Sequence, residues 1–174
     1  ILLATGFLRQ VMKGWYICAN PADQQGDSTA WYASFWAFLS GYLGKRFGKR
    51  YCLNPEASLL LYTGNTAVPR QVVAVARETG AKTLSLPFGT SLLVYKDEKR
   101  VPRSRVEQRG LQVWPVAEAL CLAGPSFFIE HPREAEIALA MVRDPSELLP
   151  TLLEGDGMRS AAARLAGALQ FAGR

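Results

Sequence analysis

Apolar and polar positions along the chain change period several times, and each change marks an element. Ile1 to Thr5 reads as the last turn of a helix stopped by Gly6. Phe7–Val11 and Trp15–Cys18 read as two short strands, joined through Met12-Lys13-Gly14 with Gly14 as the permissive turn residue. Asn20 to Asp27 is a polar connector, and Asp27 or Ser28 can cap a helix running to about Phe47. Asn54-Pro55-Glu56 is a cap, a proline and a first-turn acid, which starts a helix over Pro55–Tyr62 that closes at Thr63-Gly64-Asn65. Strands follow at Gln71–Ala76, Thr83–Leu86, Ser91–Tyr95, Arg105–Gln108 and Gly110–Trp114. The last third is helical: Pro115–Leu122, Pro132–Val142, Pro145–Leu153 behind an Asp144 cap, and Met158 to about Phe171. Short, regularly spaced strands suggest one antiparallel sheet, so the expected class is α+β.

Two stretches are more specific than the rest. A helix end, a glycine, a basic strand, a Lys-Gly turn and an aromatic strand form the order of the wing in a winged helix-turn-helix. An ordinary hairpin has the same order, and the pattern does not choose between them. In the helix after it, Trp31, Phe35, Phe38 and Tyr42 form one apolar stripe, while Tyr32, Trp36, Leu39 and Leu43 fill a neighbouring one. Only Ser34, Ser40, Gly41 and Lys45 read as solvent-facing, so the helix is expected to be buried on more than one side. It is either the core helix or a core helix with an interaction surface at Trp31, Tyr32 and Trp36. Lys45-Arg46-Phe47-Gly48-Lys49-Arg50 is the densest basic run. It could meet phosphates or be a solvated helix end complementing the C-terminal dipole.

The 174 residues are enough for one domain, or for one domain with a piece of another, and for a core that needs no disulfides. A 49% hydrophobic and 20% charged composition excludes a disordered or fibrous chain. The net charge of +5 permits an acidic partner without demanding one. Cys18, Cys52 and Cys121 are far apart among apolar neighbours and read as three buried hydrophobes in a reducing compartment; with a single histidine, no zinc site is expected. No run is long enough to span a membrane and no signal sequence is apparent, which points to a cytoplasmic protein. The apolar start at Ile1 and the stop at Arg174 directly after a helical pattern read as a fragment of a longer protein.

No constellation of catalytic residues stands out. Gly41, Gly44 and Gly48 follow helical residues, which is the wrong context for a phosphate-binding loop. His131, in Glu130-His131-Pro132-Arg133-Glu134, reads as a cap or a solvated turn residue. Glu118, Glu134, Glu136, Glu147 and Glu154 fall on different helices, and no pair is singled out.

Residues Gly6–Tyr16 resemble the wing that ends the winged helix of type IV abortive-infection antitoxins. Tyr51–Gln71 resembles the helix and first strand of the domain that follows it, and Leu152-Leu153-Glu154-Gly155 with Ala163–Leu169 its C-terminal helices. The fuller set, Lys13-Gly14-Trp15-Tyr16, Gly26–Tyr32, Leu86–Leu92 and Arg164–Ala168, resembles the antitoxin-like N-terminal region of large bacterial Fic-family proteins. The resemblance implies a full-length protein that transfers AMP or a related nucleotide to target hydroxyls. The catalytic loop, His-Pro-Phe followed by Gly-Asn-Gly-Arg, does not carry over. His131-Pro132-Arg133-Glu134 begins alike and lacks the glycines and the phosphate-binding arginine. The inhibitory motif does not carry over either, because Pro150 stands four residues before Glu154-Gly155 where Ser or Thr belongs, with Thr151 one residue late.

The resulting expectation is an α+β chain with a winged-helix remnant at residues 1–20 and an antitoxin-like domain at 21–174. The remnant is a wing hairpin; the domain is a small antiparallel sheet packed with several helices and a helical C-terminal third. The expected role is a non-catalytic regulatory or targeting segment of a Fic-type protein nucleotidyltransferase. The alternative is a piece of an antitoxin-like repressor that binds DNA. No cofactor and no metal is expected. Its partner would be the C-terminal Fic domain, a cognate toxin or DNA, and not a membrane. Arg9 and Lys13 are the candidate phosphate or minor-groove contacts, with Lys45, Arg46, Lys49 and Arg50 as a second basic surface.

Overall fold

The computed structural model describes residues 1–23, 26–78, 82–97, 101–102, 104–155 and 157–173. In chain order the elements are β1 (Leu8–Met12), β2 (Trp15–Cys18), α1 (Thr29–Phe47), β3 (Tyr51–Leu53), α2 (Pro55–Tyr62), β4 (Gln71–Ala76), β5 (Lys82–Ser85) and β6 (Ser91–Lys96). They continue with β7 (Val106–Gln108), β8 (Leu111–Val113), α3 (Val116–Leu122), α4 (Pro125–Glu130), α5 (Pro132–Met141), α6 (Leu149–Glu154) and α7 (Arg159–Phe171). A tight non-helical turn lies at Pro87–Gly89 and a short 3-10 turn at Pro145–Leu148. This mixture of helices and small sheets forms two compact units. Unit 1 is Ile1–Tyr51 with Ala67–Val101, and unit 2 is Cys52–Thr66 with Pro102–Arg174. Residues 1–20 fall inside unit 1, and β3 straddles the point where the chain leaves it.

In unit 1 the chain opens in a turn, with the Thr5 N–H donating to the Ile1 carbonyl at 3.0 Å and Gly6 at φ 80°. β1 and β2 form an antiparallel hairpin, Leu8 opposite Cys18 and Met12 opposite Trp15. Gly14 turns it at φ 79°, where a side chain would strain the backbone. Strand alternation buries Ile17 and turns Tyr16 and Cys18 outward. Cys18 is therefore exposed, correcting the expectation that all three thiols are buried. α1 buries Trp31, Phe35, Phe38, Leu39, Leu43 and Phe47 along one face. It ends where Gly48, at φ 59°, donates its N–H to the Gly44 carbonyl at 2.8 Å. Trp15 lies against this helix, its ring 5.5 Å from that of Phe38 and 5.6 Å from that of Tyr42.

The sheet of unit 1 corrects the antiparallel expectation. β5 pairs antiparallel with β6 through the tight loop at 86–90, while β4 runs parallel to β6 on its other side, Gln71 opposite Ser91 and Ala76 opposite Lys96. β4 is the more deeply buried of the two parallel strands: Val72, Ala74, Val75 and Ala76 are all buried in a continuous apolar run, while β6 alternates, with Leu92 and Val94 buried.

Unit 2 is built around α3, which packs with α2, α5 and α7. Leu59, Trp114, Leu120, Phe127, Leu139, Leu148 and Leu165 belong to its core. Each fully buried leucine contributes about 1.5–3 kcal/mol relative to exposure. α2 starts as its sequence dictates: the Asn54 Oδ1 accepts from the Ala57 N–H at 3.3 Å, with Pro55 in the first turn. Its buried Ser58 hydroxyl donates to the Asn54 carbonyl at 2.8 Å and accepts from the Trp114 N–H at 3.2 Å. The helix expected over Pro145–Leu153 is a 3-10 turn followed by α6. The Glu147 carboxylate accepts from the Asp144 N–H at 2.9 Å and Asp144 accepts from the Ser146 N–H at 2.8 Å.

Candidate nucleic-acid interface

Unit 1 carries the sequence-predicted basic residues. Lys13 is exposed in the β1–β2 turn, and Lys45 and Arg46 are exposed in the last turn of α1. The Trp15–α1 packing brings these two elements together. Lys45 Nζ sits 5.6 Å from the centre of the Trp15 ring, a cation–π arrangement that ties the helix end to the hairpin. Arg46 donates to the Tyr42 hydroxyl at 3.3 Å and borders a cavity of about 120 Å³ with Met12, Tyr42, Phe47 and Lys82. Met12 is the last residue before the Lys13 turn, so the shared cavity adds Lys82, at the start of β5, to this basic corner. Lys82 was missed in the sequence because it stands alone there.

Two predicted residues are engaged within the fold. The Arg9 guanidinium is half-buried and donates to the Asp27 carbonyl at 2.6 Å, which pins the hairpin to the segment entering α1. Thr29 holds the Asp27 carboxyl below the usual carboxylate range by hydrogen bonding, its N–H donating at 2.7 Å, and the Arg9 charge adds to the effect. Arg50 is exposed and pairs with Glu78 at 2.5 Å, so it reaches a phosphate only in competition with that carboxylate. Lys49 is exposed in the turn after α1.

The aromatic candidates separate. Trp31 is buried outright, and its Nε1–H donates to the Thr90 hydroxyl at 3.2 Å, so it is removed from the interaction surface. The reason is its place on the helix stripe shared with Phe35 and Phe38, whose rings lie 5.4 Å from its own. Tyr32, one residue on, is exposed, and Trp36 is half-buried.

Charge divides unevenly between the units. Unit 1 holds twelve Lys and Arg against five Asp and Glu, a formal +7, and unit 2 holds eight against ten, −2; together they make the +5 of the chain. Whole-chain composition hid this separation. In unit 2, His131 precedes α5 without capping it through its side chain, and its ring lies 5.6 Å from that of Phe127. Glu134 accepts from the Asn65 side-chain amide at 2.8 Å, which holds its carboxyl below the usual range. Burial pushes the Cys52 thiol up to about 12 and the Cys121 thiol up to about 11, so neither is a ready nucleophile at neutral pH. Among the described residues no group of three His, Cys, Asp or Glu could hold a metal ion, and no helix is long and apolar enough to cross a membrane. No family model, no curated protein and no solved structure matches the chain.

Proposed function

We propose that unit 1 is a nucleic-acid-binding surface, with the β1–β2 hairpin acting as a wing and the end of α1 as its second basic contact. The observation that carries this reading is the formal +7 of unit 1, part of it at the cavity bordered by Arg46 and Lys82 and at Lys45 on the Trp15 ring, two residues from the exposed Lys13. Cations on a hairpin tip and an adjoining helix end suit backbone phosphates, which fix position without reading sequence. The test is fluorescence anisotropy with a labelled DNA duplex. Replacing Lys45, Arg46 and Lys82 together with alanine weakens binding, whereas Arg133→Ala with Arg143→Ala in unit 2 leaves it unchanged. Equal effects from both sets would overturn the assignment to unit 1.

The resemblance to the region that precedes a Fic domain supports a second reading: a non-catalytic regulatory or targeting segment of a Fic-type nucleotidyltransferase. Three of the four motif stretches, Lys13–Tyr16, Gly26–Tyr32 and Leu86–Leu92, belong to unit 1, the unit with the excess positive charge. The two readings are compatible, since a targeting segment can act by binding nucleic acid. Reading the gene outward from both ends of this chain tests it. A downstream His-Pro-Phe loop with Gly-Asn-Gly-Arg supports the Fic reading. A stop soon after Arg174, with a helix-turn-helix upstream, contradicts it and leaves a repressor.

A further inference from the structure

A second feature of unit 1 lies away from the charge cluster. The loop from β5 to β6 places Phe88 at φ 54°, ψ 39° and Gly89 at φ 70°. Two consecutive left-handed residues suit a tight hairpin, and the first of them is ordinarily Asn, Asp or Gly. Here a bulky aromatic holds that place at an energetic cost and is 42% exposed. Costly backbone at an exposed aromatic is a reason to ask what the ring meets.

The loop is anchored from below. The Leu86 N–H donates to the Thr90 carbonyl at 2.9 Å, and the Thr90 hydroxyl donates to the Pro87 carbonyl at 2.7 Å while accepting from the buried Trp31 at 3.2 Å. Tyr32, next to Trp31, turns to the outside and is also 42% exposed. Its ring lies 6.3 Å from that of Phe88 at an interplanar angle of 36°. The two rings, Val68, Arg70, Gly89 and Thr90 border an open cavity of about 360 Å³. That volume lies within the roughly 300–1,000 Å³ of small-ligand sites. The guanidinium of Arg70 has no hydrogen bond or ion pair among the described residues.

We propose that this cavity captures an unpaired nucleobase, stacked on Phe88 and Tyr32, with the adjoining phosphate on Arg70. Two aromatic faces beside one uncommitted arginine match the chemistry of a base joined to a phosphate. Aromatic faces accept any base, whereas a paired base inside a duplex has no face to offer. The proposal rests on the nucleic-acid reading of unit 1 and narrows it: the strand bound there is single or locally opened. The other source of the same chemistry is a free nucleotide.

The experiment compares labelled oligo(dA), a duplex containing the same strand, and AMP, each titrated against the whole chain. Oligo(dA) is expected to bind more tightly than the duplex. Phe88→Ala and Tyr32→Ala each weaken oligo(dA) binding by about tenfold or more, the loss of one stacked base. Phe88→Trp retains binding, and its folding is checked independently by circular dichroism. Duplex affinity stays within about twofold in every variant, since phosphate contacts elsewhere carry it. AMP binding that Phe88→Ala abolishes, without oligonucleotide binding, supports base capture from a free nucleotide and counts against the nucleic-acid reading. Salt-dependent binding that is equal for strand and duplex and indifferent to Phe88→Ala overturns base capture and leaves the nucleic-acid reading standing. No binding of any of the three overturns both.

Discussion

Thr90→Val is the substitution through which the architecture of unit 1 is most exposed. The side chains are nearly isosteric, so no cavity opens and the effect is that of the hydroxyl. Thr90 is buried, and its hydroxyl serves two partners: it donates to the Pro87 carbonyl at 2.7 Å and accepts from Trp31 Nε1–H at 3.2 Å. The bond to Pro87 is worth about 0.5–1.5 kcal/mol net. Trp31 is fully buried, so its N–H would be left without a partner, which costs about 1–3 kcal/mol more. The expected loss is therefore about 1.5–4.5 kcal/mol, read by urea unfolding followed through tryptophan fluorescence. A double-mutant cycle isolates the pair. Trp31→Phe removes the orphaned donor, so it should cost less in the Thr90→Val background than in the native chain by about 1 kcal/mol or more. A Thr90→Val chain within about 0.5 kcal/mol of the native one, or a cycle with no coupling, refutes the claim that this hydroxyl anchors the loop.

Further outcomes are expected in both units. Leu120→Ala, at a fully buried position of α3, should cost about 2–5 kcal/mol by the same unfolding assay, and a smaller loss would mean the core of unit 2 can collapse onto the gap. Gly14→Ala should cost about 1 kcal/mol, because the site is open in space but sits at φ 79°; an unchanged midpoint would contradict the turn geometry. In the native chain a thiol reagent at pH 8 should modify Cys18 rapidly and reach Cys52 and Cys121 only on unfolding; three equally fast thiols would contradict the burial. The raised thiols also set a sign for pH dependence. The unfolded chain loses its thiol protons near the ordinary value of about 9 while the folded chain keeps them until about 11 for Cys121 and 12 for Cys52. Stability should then fall as pH rises from 9 toward those values, and replacing both cysteines with alanine should flatten that part of the curve.

Local signals carried much of the secondary structure. Pro55–Tyr62 and Gln71–Ala76 are observed with the boundaries the sequence gives them, since a capped proline start and an apolar run between polar turns are written in neighbouring residues. Tyr51–Leu53 was overlooked, because three apolar residues behind a basic run have no period of their own. Pro125–Glu130 was also missed: Gly124-Pro125 and His131-Pro132 enclose only six residues, which reads as a turn. Strand direction was not legible, because β4 and β6 look alike whichever way they run and the pairing depends on the chain between them. The sequence leaves Trp31 open to either the core or an interaction surface because α1 is apolar almost all round, and periodicity alone cannot say which stripe faces inward. The basic run at Lys45–Arg50 was plain, but the addition of Lys82 and the engagement of Arg9 with the Asp27 carbonyl depend on tertiary contacts. In the sequence Phe88 stands out only as part of the Leu86–Leu92 stretch of the resemblance, and its pairing with Tyr32 joins positions far apart in the chain.

The most direct test of nucleic-acid binding by unit 1 is the salt dependence of association with a labelled oligonucleotide. The prediction is a straight fall of log K with log salt, steepening by about 0.7–0.9 for each phosphate neutralised, and a shallower slope when Lys45 and Arg46 are replaced with alanine. Absence of association at low salt, or an affinity indifferent to salt, would contradict it.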